Sequence, residues 1–231
     1  MTLHISYFSD VLCIWAYVAE VRLDEVRKEF GSSVELEYRF IPIFGATRYR
    51  IAEGRKDRGG YAGFGEHVRK VAADFPHVSV NERVWSEVAP TTSSTAHEML
   101  CAARQLANEG VVGSARRDDL GGRTLFEEAT WQIRSAFFEH GRDISDRDVL
   151  LDVLGEAGMP TDAIEAKLKS GEAMAEVCRD IELRDSNKIE GSPTYYLNQG
   201  RQKLYGNVGY RVVSANLREL LEQPEHQASW C

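Results

Sequence analysis

The sequence has few cysteines, and none of them lie close together. Cys13, Cys101, Cys178 and Cys231 are the only ones in 231 residues. A disulfide framework is therefore not expected, whereas free thiols in a reducing compartment are. No two cysteines have metal-ligand spacing, and the six histidines form no H-x-x-x-H pattern, so no metal site is predicted. Basic residues are outnumbered. The formal net charge is −8, which argues against non-specific binding to nucleic acid or to an anionic membrane, since both need basic surface. No run approaches the roughly 20 apolar residues of a membrane span. The opening MTLHISYFSD has neither a basic start nor a long apolar stretch; no signal peptide is expected, and the expected location is the cytoplasm. The hydrophobic share is 43%, enough for a core that needs no staples. The length allows one large domain or a domain carrying a sizeable insertion.

Periodicity orders the chain. Leu3, Ile5 and Tyr7 alternate with His4 and Ser6, which predicts a strand. Trp15, Ala19, Leu23, Val26 and Phe30 recur every three to four residues and predict an amphipathic helix closed by Gly31. Val34, Leu36, Tyr38 and Phe40 alternate with charged residues up to Pro42, a second strand. Two strands joined by a helix imply a parallel pair with a right-handed crossover. From Gly45 the segment RYRIAEGRKDRGGYAGFGEH is basic and glycine-rich without a sustained period, and reads mostly as a mobile loop with Gly59, Gly60, Gly63 and Gly65 as lid hinges.

About a hundred helical residues follow. The Ser/Thr cluster from Thr91 to Thr95 is suited to N-capping a helix with Met99, Ala103, Leu106 and Ala107 on one face. Leu125, Ala129, Ile133 and Phe137 form another face. Ser145 with Asp148 resembles a capping box, and Thr161 is placed to cap a further helix that Gly171 interrupts. Strands return at Thr194–Leu197 and Lys203–Tyr205 around the turn Asn198-Gln199-Gly200, before a last helix carrying Val213, Leu217, Leu220 and Leu221. The β-α-β and β-β-α ends are each too small to bury a core alone, so their strands are expected to share one sheet, with the helical block inserted between them.

Two places carry chemistry. Cys13 follows a strand and stands at the first turn of a helix, where unpaired N–H groups and the positive end of the helix dipole favour a thiolate. The competing reading is a small buried hydrophobe beside the sheet. Position 16, where a C-x-x-C pair has its second thiol, is Ala16. The second place is IEGSPTYYLN, residues 189–198. Pro193 at the start of a strand is tolerated there for want of a needed N–H; the sharper reading is a cis Ser192–Pro193 bond that turns the backbone of Ser192 towards Cys13.

These features together resemble the DsbA-like branch of the thioredoxin fold over nearly the whole chain. The likeness is carried by S-D-V-L-C-I-W-A-Y at residues 9–17, E-G-S-P-T-Y-Y-L-N at 190–198 and FFEHGRDISDRDVL at 137–150. It implies an α/β fold, a thioredoxin-like sheet with a large all-helical insertion. The thioredoxin-like part would comprise residues 1–45 and 187–231, and the loop plus helical insertion residues 46–186. Two branches of the group differ in chemistry. Thiol-disulfide oxidoreductases use C-x-x-C, the second cysteine resolving the mixed disulfide formed by the first. Kappa-class glutathione transferases and 2-hydroxychromene-2-carboxylate isomerases commonly have serine for the first cysteine, and bound glutathione supplies the thiol. The segment RFIPIFGATRYR resembles the active-site loop of the second branch.

This sequence falls between the two. A mixed disulfide at Cys13 cannot be released from position 16, so release must come from another thiol. The resemblance then implies a cytoplasmic monothiol oxidoreductase, glutathione-linked, with Cys13 as nucleophile. Trp15, Ser192, Pro193 and Asn207 would bind substrate or glutathione, and the partners would be glutathione or a thiol or disulfide substrate. No tightly bound cofactor is expected. The alternatives are a glutathione-dependent isomerase or transferase, in which Cys13 stabilises the cofactor's thiolate, and a non-catalytic peptide-binding module. Relatives are often homodimers, although no heptad or exposed apolar stripe demands it.

Other residues have plainer readings. Asn207 suits the cap of the last helix, and Trp15 suits the core. Cys101 and Cys178 read as buried packing, and Cys231 as a frayed end within conceivable reach of Cys13. Arg48, Arg50, Arg55, Lys56 and Arg58 read as a solvated loop balanced by Glu53 and Asp57, with anion attraction as the competing reading. For His67, His77 and His97 a general base is the competing reading, but without a visible orienting partner they read as structural.

Overall fold

The computed structural model describes residues 2–223. Strand β1 (Leu3–Ser9) leads through a tight turn into helix α1 (Ile14–Phe30), which Gly31 ends at φ +51°, and strand β2 (Val34–Phe40) returns alongside β1. The two strands are parallel and in register from Leu3 opposite Val34 to Ser9 opposite Phe40. Their alternating apolar residues, Leu3, Ile5 and Tyr7 with Val34, Tyr38 and Phe40, are buried.

The chain then leaves the sheet for helices α2 (Gly60–Ala72), α3 (Ser94–Asn108), α4 (Leu125–Phe138), α5 (Arg147–Glu156), α6 (Thr161–Ser170) and α7 (Glu172–Ser186). It comes back as the hairpin of β3 (Thr194–Leu197) and β4 (Gln202–Tyr205), and closes with α8 (Tyr210–Glu222). Strand β3 runs antiparallel to β1, and β4 antiparallel to β3, giving one sheet of order β2-β1-β3-β4 among the described residues. The ends of the chain thus complete each other, and β1 lies in the middle.

One hydrophobic cluster runs from the sheet into the helices, joining Tyr7, Tyr38 and Tyr195 to Phe126, Ile133 and Phe137. Buried ion pairs fix the same junction. The Arg27 Nε on α1 donates to Glu127 Oε1 on α4 at 3.0 Å, and Arg104 Nη1 on α3 reaches both the Tyr38 carbonyl at 2.6 Å and Asp180 Oδ2 on α7 at 2.8 Å. Charges this deeply buried are held because each has a partner and further hydrogen bonds.

Several local expectations need correction. The basic, glycine-rich segment is not a loop: residues 48–53 form a wide helical turn, 56–58 a tight one, and α2 begins at Gly60. Phe64, Val68 and Val71, one side of α2, are buried, and that burial outweighs the poor helix propensity of the glycines. Nor do the glycines read as hinges. A Cβ on Gly63 would lie 1.8 Å from the Arg58 carbonyl oxygen, and one on Gly65 2.7 Å from that of Val84; both positions need glycine for close backbone approach.

The caps also shift. Thr92 Oγ1, within the expected Ser/Thr cluster, accepts from the N–H of Ser94 at the start of α3. Helix α5 is capped by Asp146, whose carboxylate accepts from the N–H of Asp148 and of Val149, while the Ser145 hydroxyl is engaged by Asp143 at 2.6 Å. Thr161 lies inside the first turn of α6, and Pro160 takes the cap position. Gly171 does separate α6 from α7, at φ +81°. Asn207 is not the cap of α8; the chain needs Val208 and Gly209 to cross from β4, and Gly209 takes that position.

Candidate functional site

The buried carboxylate of Asp10 builds the site. Asp10 follows β1, is fully buried, and engages every segment of chain that meets there. Its Oδ1 accepts from the Leu12 N–H at 2.8 Å, turning the backbone towards α1. Its Oδ2 accepts from the Phe44 N–H at 2.7 Å and from the Ser93 hydroxyl at 2.8 Å, holding the segment after β2 and the start of α3. Its own N–H donates to Ser192 Oγ at 2.9 Å. Three donors around one carboxylate satisfy a buried charge.

Cys13 sits at the N-terminal cap of α1, its N–H donating to the Asp10 carbonyl and its own carbonyl accepting from the N–H of Ala16 and Tyr17. Only 6% of the residue is exposed. Its Sγ lies 3.3 Å from the Ser192 carbonyl oxygen, to which the thiol donates. Ser192 precedes Pro193 through a cis peptide bond. The Pro193 carbonyl accepts from Gly206 N–H at 2.8 Å, and Thr194 Oγ1 donates to the Gly191 carbonyl at 2.7 Å, so both sides of the turn are tied to the hairpin. Residues 179 positions apart in the chain therefore meet around one sulfur.

The thiolate expected at this helix end is not favoured here. Burial pushes the Cys13 thiol above its ordinary value; hydrogen bonding with Ser192 and with the N–H groups of Ala16 and Trp15 opposes this, and the Asp10 carboxylate adds to the push. Burial wins, and the resting group is a thiol. Ala16, in the resolving position, is fully buried.

The other expected residues separate. Trp15 is half-buried and packs edge-on against Phe75, with ring centroids 6.3 Å apart. Asn207 is exposed on the turn after β4. Cys101 is buried within reach of Arg104 and Asp180, and burial pushes its thiol well up. Cys178, expected to be buried, is exposed on the outer side of α7. Cys231 lies outside the described residues. Among the described residues no group of three metal-ligating side chains forms.

Asp10 and Ser93 were not legible as site residues in the sequence, and His97, read there as structural without an orienting partner, has Asp10 beside it. His97, on α3, is fully buried with Nε2 accepting from the Val11 N–H at 3.2 Å and standing 3.7 Å from Asp10 Oδ1. Burial holds its imidazole below the ordinary value, with the Asp10 carboxylate opposing, so the ring is neutral beside Asp10. The one available signal was an acid directly after an apolar strand and three residues before the cysteine.

No curated protein sequence matches the chain. Among solved structures, a chain from Nitrosomonas europaea assigned as a protein disulfide isomerase superposes with a TM-score of 0.74 at 14% identity, covering 96% of this chain and 99% of that one. The cytosolic disulfide reductase DsbM from Pseudomonas aeruginosa with GSH gives 0.62 at 19% identity, covering 93% and 99%. A 2-hydroxychromene-2-carboxylate isomerase gives 0.60 at 16% identity, covering 96% and 97%. At these identities the likeness is one of fold. In sequence, the family model of the DSBA-like thioredoxin domain matches residues 4–218, nearly the whole chain, and the protein belongs to that family.

Proposed function

We propose that the protein is a thiol-disulfide oxidoreductase working through the single thiol of Cys13, with glutathione as its second thiol. The observation that supports this reading best is the position of Cys13 Sγ, at the cap of α1 and 3.3 Å from the carbonyl before Pro193, with Ala16 where a resolving cysteine would stand. Once deprotonated, the sulfur attacks one sulfur of a substrate disulfide. A new S–S bond forms at Cys13, the old one breaks, and the other half leaves as a thiolate. A glutathione thiolate then attacks the substrate sulfur of that mixed disulfide: a glutathione–substrate S–S bond forms, the bond to Cys13 breaks, and Cys13 leaves as a thiolate. Ser192 and Pro193 present backbone groups to the bound chain, and Trp15 flanks it.

We assign the reaction to a reducing cytoplasm, where glutathione is available. The DsbM of Pseudomonas aeruginosa, similar in fold, is a cytosolic disulfide reductase whose structure holds GSH. Among the described residues no helix is long and apolar enough to cross a membrane.

A second reading draws on the raised Cys13 thiol. A sulfur that keeps its proton is a hydrogen-bond donor, suited to holding the thiolate of bound glutathione in an isomerase or transferase rather than to attacking a disulfide. The fold likeness to 2-hydroxychromene-2-carboxylate isomerase is compatible with it.

Brief exposure to oxidised glutathione near neutral pH, followed by intact mass and peptide mapping, tests the first reading. A glutathione adduct on Cys13 is expected, absent in Cys13→Ser and forming faster as pH rises, because the thiolate is the attacking species. Modification of Cys178 with none on Cys13 overturns it. Cys13→Ser separates the two readings, since it abolishes thiol exchange but leaves an isomerase with a hydroxyl donor.

A further inference from the structure

A cavity of about 420 Å³ opens beside the Phe44 ring. Phe44, Ile51 and Phe64 form its apolar floor, and Arg50, Arg55 and Arg58 line its walls. Arg50 and Arg58 come from the two helical turns before α2, and Arg55 stands between those turns at the cap of the second. Two of them are braced on the floor: the Arg50 guanidinium lies 5.2 Å from the Phe44 ring centroid and that of Arg55 4.8 Å from Phe64. Stacking of this kind fixes a flexible cation in place before any ligand arrives.

None of the three makes an ion pair or a side-chain hydrogen bond among the described residues, whereas neighbouring Arg48 is paired with Glu53 at 3.0 Å. The single carboxylate lining the cavity belongs to Asp57. Three cations against one anion leave a local excess of positive charge on a protein whose net charge is −8. His67, stacked on Phe64, responds to that field: its imidazole is held below the ordinary value by burial and then by Arg55 and Lys70.

We infer that this cavity is a binding site for a compact dianion, a phosphate ester or a dicarboxylate, separate from the Cys13 thiol. The guanidinium forks match the paired oxygens of either group. The volume suits a small molecule rather than a polymer chain. Phe44 is the shared wall: its ring floors the cavity while its N–H is held by Asp10.

Calorimetric titration of the full chain with inorganic phosphate, and separately with succinate, tests the site. Saturable binding that weakens with added salt is expected, with a roughly tenfold or greater loss in the double variant Arg50→Gln and Arg55→Gln, because a charge-assisted hydrogen bond is worth at least about one decade of affinity. Arg48→Gln is expected to bind like the parent. Tighter phosphate than succinate identifies a phosphate ester as the ligand class, and the reverse order a dicarboxylate. In proton NMR the His67 imidazole titration is expected to move upward on binding, since the ligand offsets Arg55. Cys13→Ser is expected to bind unchanged whatever the fate of the oxidoreductase reading. Absence of saturable binding by either probe overturns the inference. So does binding that survives the double variant, leaves His67 unmoved, or disappears with Cys13→Ser.

Discussion

The Asp10 N–H donates to the Ser192 hydroxyl oxygen at 2.9 Å, across 182 positions of chain. This bond joins the turn that carries Cys13 to the turn that carries Pro193, and the Asp10 carboxylate ties both to Phe44 and Ser93. The site is therefore held together by a fully buried residue that makes no hydrogen bond to the sulfur itself.

Asp10→Asn keeps the size of the side chain but replaces one acceptor oxygen by a donor. Either Leu12 or the pair Phe44 and Ser93 then loses its acceptor in a fully buried place. A buried donor left unsatisfied costs about 1–3 kcal/mol. We expect a loss of that order in urea unfolding, seen as a lower midpoint at unchanged slope. Ser192→Ala keeps the carbonyl that accepts from Cys13 but takes the acceptor from the Asp10 N–H; because Ser192 is half-buried, water can replace its hydroxyl, and a smaller cost of about 1 kcal/mol is expected. A larger loss from Ser192→Ala than from Asp10→Asn would reverse the hierarchy proposed for the site.

Ala16→Cys installs the missing resolving thiol. Ala16 N–H already bonds to the Cys13 carbonyl, so the two positions are one helical turn apart at the start of α1. After oxidation the variant is expected to hold an internal disulfide between Cys13 and the introduced thiol, read as the loss of two hydrogens in the intact mass. It should reduce insulin with dithiothreitol without needing glutathione. Because position 16 is fully buried, the added sulfur is expected to lower stability by about 1 kcal/mol. If the variant still turns over only with added glutathione, the missing cysteine is not what makes the parent a monothiol.

Sequence periodicity located the sheet well because period-2 alternation in the first half of β1 and in β2 reports a physical asymmetry, one face more buried than the other; over Tyr7–Ser9 both faces of β1 are buried. It failed between Arg48 and Ala72, where propensity and tertiary structure disagree. Gly63 and Gly65 look like flexibility in a sequence, yet in the fold they are places where no side chain fits against Arg58 and Val84. The site divides the same way. Cys13 and Pro193 each sit in a short stretch whose pattern is local, so both stood out in the sequence as candidates, and the fold brings their two turns together. Asp10 acts through Phe44, Ser93 and Ser192, partners 34, 83 and 182 residues away, and no window of sequence shows them together. Cys178 misled for a simpler reason: a cysteine is usually buried, but the inward face of α7 is taken by Ala173, Val177 and Asp180.

The raised Cys13 thiol has a pH signature. Its thiolate fraction is small at neutral pH and grows as the solution passes above the ordinary value of 9.0. Alkylation of Cys13 by iodoacetamide, followed by mass spectrometry, is expected to accelerate through the alkaline range with a midpoint above 9.0. The same group makes folding pH-dependent. The folded state holds the proton more firmly than the unfolded one, so this stabilisation is present below 9.0 and is lost as pH rises through the folded value. A midpoint well below 9.0 would mean that the helix end outweighs burial in solution.

His97 provides the acid counterpart. Burial keeps its ring neutral in the folded protein, whereas the unfolded chain takes up a proton near the ordinary value of 6.5. Below that value the unfolded state gains a proton the folded state refuses. The stabilisation from neutral His97 is thus complete above pH 6.5 and drains away as pH falls towards the lower folded value. One such group removes at most about 1.4 kcal/mol per pH unit. His97→Gln keeps an acceptor for the Val11 N–H but cannot titrate. Thermal melts of parent and variant between about pH 7 and pH 5 are expected to converge, the parent losing stability faster on acidification although the variant starts lower. Parallel curves would mean that His97 takes up its proton equally in the folded and unfolded states, and a parent that gains on the variant as pH falls would mean a ring protonated inside the fold and paired with Asp10, 3.7 Å away.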